Sequence, residues 1–133
     1  MMIERFLDGL AARMEEPLDT SYMMIVLPED LDPMERHLRY SVSLDAELRL
    51  AGLGCSEGGA TMLSQEDAHG RRAVLFTVVD VDATDVDRAR ALLRLHLPEL
   101  GCPVGTLIQY DELEDRFDGA RWLLAQPLSV IEE

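Results

Sequence analysis

The sequence predicts an α+β fold, an antiparallel sheet with helices packed on it, and three observations lead there. Two continuous apolar runs, Tyr22 to Leu27 and Ala73 to Asp82, read as interior strands. Each is followed by a stretch with helical spacing, Leu44 to Ala51 and Val86 to Leu97. Two weaker runs, Cys55 to Leu63 and Val104 to Tyr110, have the length and broken pattern of edge strands. Side chains alternate across a strand. In Ala73 to Asp82 this puts Val74, Phe76 and Val78 on one face and Leu75, Thr77, Val79 and Val81 on the other, so both faces of the sheet require a cover.

Taken in order, Ile3, Phe6, Leu7, Leu10, Ala11 and Met14 recur at helical spacing and predict an amphipathic helix over residues 1–16, ended by Pro17. The first strand follows and stops at Pro28. The connection from Pro28 to Ser43 is long, and Asp32-Pro33-Met34-Glu35 within it has the form of a helix start, with Asp as N-cap and Pro at the first position. Ser43 is positioned to cap the helix Leu44 to Ala51, which Gly52 and Gly54 terminate. Gly58-Gly59 predicts a bulge in Cys55 to Leu63, and the polar turn Ser64 to Gly70 makes a hairpin into the central strand. Thr84 and Asp87 form a capping box for the second helix, whose inward face is Val86, Ala89, Leu93 and Leu97 and which ends before Pro98.

The resulting order, β-α-β-β-α-β, is the split-βαβ or ferredoxin-like arrangement. It predicts a single domain over 1–133 with a four-stranded antiparallel sheet in order 4-1-3-2, a core at about 20–112, the N-terminal helix, and a C-terminal extension over 113–133. Helices cover one face. For the other, a second copy of the chain is favoured as the cover, since twofold dimers are the commonest oligomers; the N-terminal helix and the segment Phe117 to Ile131 are the alternatives.

The succession AGLG, GGATML, a strand ending in DVD, and CPVGTLIQYDE resembles uncharacterised bacterial ferredoxin-like proteins over Leu44 to Glu112. That resemblance implies the fold and assigns no activity.

Charge is the strongest compositional signal. Asp and Glu number 26 against 12 basic residues, all arginine, for a net charge of −14. Such a field repels nucleic acid and anionic membranes and steers a basic protein partner. The N-terminus carries Glu4, Arg5 and Asp8 where a secretory leader needs an apolar run, and Cys55 and Cys102 show no CxxC spacing, so reduced thiols in the cytoplasm are expected.

No metalloprotease, P-loop, nucleophile-elbow or dinucleotide motif occurs, and no catalytic, cofactor or metal site is expected. The acids Asp80, Asp82, Asp85 and Asp87 are explained by the start of a helix. His37, His69 and His96 lack ligand spacing, and Cys102 before Pro103 reads as a small buried residue. Two functions remain. In the first, the chain is a non-enzymatic interaction protein of immunity or antidote type, whose contacts to a basic partner are Asp111, Glu112, Glu114, Asp115 and Asp118 in the acidic run DELEDRFD. In the second, it is a small-molecule-binding or enzymatic dimer, with a pocket near 28–43 formed by Arg36, His37, Arg39 and Tyr40.

Overall fold

The computed structural model describes residues 20–129; the helix expected over 1–16 lies outside the described residues. Strand β1, Ser21–Leu27, leads into helix α1, which begins as Pro33–Arg36, widens to a π-helical turn at His37–Ser41 and continues as Val42–Leu50. Strands β2 (Gly54–Leu63) and β3 (Val74–Ala83) form a hairpin, α2 runs over Val86–Glu99, and β4 (Leu107–Tyr110), β5 (Leu113–Phe117) and β6 (Trp122–Pro127) follow.

The fold is α+β. All strand pairs are antiparallel, and the sheet has six strands in the order β2-β3-β1-β4-β5-β6. It departs from the expected four-stranded sheet in order 4-1-3-2 because residues 113–127, read from sequence as an extension outside the core, supply two further strands. With β5 beside it, β4 is interior, and the edge position passes to β6. Residues 122–127 of the segment from Phe117 onward therefore widen the sheet, and of the described residues beyond them Leu128 and Ser129 lie on its open face.

The helices lie on one face. Tyr40, Leu44 and Leu48 of α1 and Ala89, Leu93 and Leu97 of α2 pack on Met23, Ile25 and Leu27 of β1, Val79 and Val81 of β3, and Ile108 of β4. At roughly 1.5–3 kcal/mol for each large aliphatic side chain removed from water, this layer dominates the stability. The opposite face carries Tyr22, Met24 and Val26 beside Asp82, Asp80 and Val78, as the β1–β3 register requires.

Local signals account for most of the boundaries. Asp32 caps α1, its Oδ1 accepting from the Glu35 amide at 2.9 Å, with Pro33 in the first turn. Ser43 caps nothing, because α1 is continuous from Pro33 and the expected long connection is largely helix. The π turn holds it together there, with the Val42 amide bonding to the His37 carbonyl. At α2 the cap is Asp85, whose side chain accepts from the Arg88 amide at 3.2 Å, while the Thr84 hydroxyl donates to the Gly52 carbonyl. Pro98 lies within the last turn of α2 rather than beyond it. The Gly58-Gly59 bulge forms as a register shift between Ser56 and Gly59, and a Cβ at Gly59 would stand 2.1 Å from the Val78 carbonyl oxygen.

Candidate functional site

The five acids expected to contact a partner are not one surface. Glu114 and Asp115 of β5 are 0% exposed. Asp111 and Glu112 form the exposed two-residue turn between β4 and β5, and Asp118 starts the turn after β5, at the strand's other end. A five-residue strand separates the two turns by about 17 Å.

Asp115 is inside because its charge is balanced there. It accepts from Arg90 Nη2 at 2.8 Å and Nε at 3.0 Å, Arg94 Nη1 at 2.9 Å, the Tyr110 hydroxyl at 3.0 Å and the Ala125 amide at 2.9 Å. Burial opposes its ionisation, but the bonds from Arg90, Ala125, Arg94 and Tyr110 together outweigh it and hold the carboxyl below the usual range. The Arg90 guanidinium also stacks 3.9 Å from the centre of the Tyr110 ring. Every acceptor position of this carboxylate is occupied, so it ties α2, β4 and β6 together and has no capacity left for a partner.

Glu114 faces the other side of the sheet. It accepts from Arg116 Nε at 2.5 Å, from the Ser129 hydroxyl at 2.6 Å and amide at 2.9 Å, and from Gln109 Nε2 at 3.2 Å. Against the opposing effect of burial, these donors lower its pKa. Through Ser129 the carboxylate pulls the chain beyond β6 back over β4. Asp118 is spent on its own turn, accepting from the amides of Ala120 and Arg121, both at 2.8 Å.

Of the residues of the alternative pocket, Tyr40 and Arg39 are committed to the fold. Tyr40 is fully buried and donates to Glu29 Oε2 at 2.7 Å; burial, then that bond, raise its pKa. Arg39 donates to Glu29 Oε1 and to the Gly101 carbonyl, both at 3.1 Å. Arg36 is partly buried along α1 against Gly59, and His37 is exposed. Arg39 and Tyr40 thus meet at the two oxygens of Glu29. Nearby Cys102 is buried, and burial raises its thiol pKa, so it does not supply a thiolate. His96 stands between Glu47 and Glu99, at 3.6 Å from each.

A cleft of about 210 Å³ opens instead where β1 begins, on the face away from the helices, lined by Tyr22, Met24, Gln109, Tyr110, Asp111 and Leu128. The register explains its composition. Tyr22 pairs with Asp82 on β3, and Met23 pairs with Tyr110 on β4, so Tyr22 stands between Asp82 on one side and Asp111 on the other. Asp111 holds φ at 50°, a left-handed turn conformation that Asp tolerates. Tyr22 is 56% exposed and its hydroxyl donates to Asp80; partial burial and that bond push its pKa up to about 12, so it remains a neutral donor. Leu128 forms the outer wall, placed there by the bonds from adjacent Ser129 to Glu114.

Sequence reasoning singled out Asp111 and missed Tyr22, Met24, Gln109 and Leu128. Asp118-Gly119, a strong hairpin signal, could have revealed β5 and β6 and so the return of the tail. No protein-family model matches the chain, and comparison with curated proteins and with solved structures gave no significant match. Among the described residues, no helix is long and apolar enough to cross a membrane, and no group of three or more His, Cys, Asp or Glu could hold a metal ion.

Proposed function

We propose that this protein is a non-enzymatic interaction module that binds a basic protein partner, in the manner of an immunity or antidote protein. The binding surface is the end of the sheet where Asp80, Asp82 and Asp111 lie around Tyr22. The observation that carries this reading is the arrangement of Asp82 on β3, Tyr22 on β1 and Asp111 in the turn that follows β4, an exposed aromatic ring with carboxylates on either side. Carboxylates attract a cation and the ring face holds it, while the net charge of −14 brings the partner in at long range. In this reading the fold is a ferredoxin-like unit widened by the β5–β6 hairpin, and the hairpin serves the surface by returning the tail to β4. Glu114 and Asp115, being internal, support the surface without touching the partner.

The test is a titration with an arginine-rich peptide, followed by fluorescence anisotropy as salt is raised. The Debye length falls from about 10 Å at 0.1 M to about 3 Å at 1 M, so affinity should fall steeply. Any protein this acidic attracts polycations, so charge reversal at Asp82 and Asp111 is compared with reversal at Glu66 and Glu99, which gives the same net charge. The proposal expects the first pair to weaken binding by at least tenfold more than the second. Equal losses would mean a diffuse field with no site.

A further inference from the structure

We infer that the cleft between Tyr22 and Leu128 is an anchor pocket for a single arginine side chain of the basic partner; this inference rests on the reading above. Its lining is amphipathic in the way an arginine is. Met24, Leu128 and the ring of Tyr22 offer apolar contact for the three methylenes of the stem, and Asp111 at the rim offers a carboxylate for the guanidinium.

Two further details favour guanidinium over ammonium. Gln109 is oriented by Glu114: a carboxylate only accepts, so the Gln109 amide nitrogen must face it, at 3.2 Å, and the amide oxygen is left as a second acceptor. The planar, multiply donating guanidinium can meet Asp111 and Gln109 together while stacking on an aromatic face, which a compact ammonium cannot. The Tyr22 hydroxyl donates to Asp80 and the Tyr110 hydroxyl to Asp115, so neither phenol offers its proton to an anion in the cleft.

Glu114 is a positioning residue here. It holds Gln109 on one side and Ser129 on the other, and Ser129 carries Leu128 into place as the outer wall. The network explains why a fully buried glutamate on the open face accompanies a shallow exposed cleft.

The experiment uses the full chain labelled with 15N and a short neutral peptide bearing one arginine, with lysine and citrulline versions as comparisons. The arginine peptide is expected to shift the Met24, Gln109 and Asp111 amides saturably, the lysine peptide to bind several-fold more weakly, and the citrulline peptide not to bind. Asp111→Asn should weaken the arginine peptide on the order of tenfold. Tyr22→Leu, which removes the aromatic face, should abolish binding. Glu114→Gln should weaken binding and shift the Leu128 and Ser129 amides even without peptide. Equal binding of the citrulline peptide, or no saturable shift at these amides, overturns the inference. If in that case the arginine-rich peptide still responds selectively to reversal at Asp82 and Asp111, the anchor pocket alone is wrong; if it does not, the functional reading fails as well.

Discussion

The indole Nε1–H of Trp122 donates to the main-chain oxygen of Arg94 at 3.0 Å, and that oxygen is the one Pro98 leaves without a helical partner. In an α-helix the carbonyl of residue i accepts from the amide of i+4, and proline has no amide proton. The last turn of α2 thus depends on a side chain from β6. Trp122 also packs on Phe117, ring centres 5.0 Å apart. Trp122→Phe should cost about 1–3 kcal/mol for the unsatisfied carbonyl, in addition to lost packing. In a Pro98→Ala background the restored amide takes over, and the same change should cost measurably less. A double-mutant cycle by urea denaturation reads the coupling.

Asp115→Asn should destabilise strongly, by about 3–5 kcal/mol, since it leaves Arg94 charged without its counter-ion and Arg90 with only the exposed Asp87. The folded-state pKa of Asp115 is depressed, so its contribution is fully present above the unfolded value of about 3.9 and is lost as pH falls through the lower folded value. Glu114 acts in the same direction. Thermal melts between neutral and acid pH should fall steeply for the natural protein below about pH 4 and less steeply for Asp115→Asn.

At the alkaline end, Tyr22 has the opposite sign. Its folded pKa of about 12 lies above the unfolded value of about 10, so the neutral phenol's contribution is present below pH 10 and disappears as pH rises through the folded value. Tyr22→Phe should remove part of the alkaline loss of stability in that window. Melting temperatures across the range check this, and an unchanged alkaline slope would contradict it.

Gly59→Ala should cost about 3 kcal/mol or more, because the added carbon meets main-chain oxygen rather than a movable side chain. Gly70→Ala meets nothing within 4 Å and should cost only the strain of its φ of +72°, about 1–2 kcal/mol. Chemical denaturation of the pair separates collision from conformation.

The interior strands were legible because Tyr22 to Leu27 and Val74 to Val81 are apolar on both faces, a pattern that only a central position satisfies. The α1 cap at Asp32 and the Gly58-Gly59 bulge were legible for local reasons. Strand β5 was not. Its Leu-Glu-Asp-Arg-Phe reads as a solvated acidic stretch because the arginines that neutralise Asp115 come from α2, 21 and 25 residues earlier, and no local count sees them. The cleft was illegible for a related reason: its walls come from β1, β4 and the tail, which meet only once the sheet has six strands.

The Ala125 amide, turned inward to Asp115 with φ at 51°, has an effect at the rim of the sheet as well. An open outer strand is a template on which a second chain can grow into a fibril, and β6 carries the exposed side chains Leu123 and Leu124 that would favour it. The register of β6 on β5 breaks between Glu114 and Arg116, opposite Ala125, and the Gly58-Gly59 bulge breaks the other outer strand. Among the described residues, neither outer strand presents an uninterrupted ladder. The bond that completes the partners of a buried carboxylate thereby also interrupts the outer strand, a feature that disfavours edge-to-edge pairing.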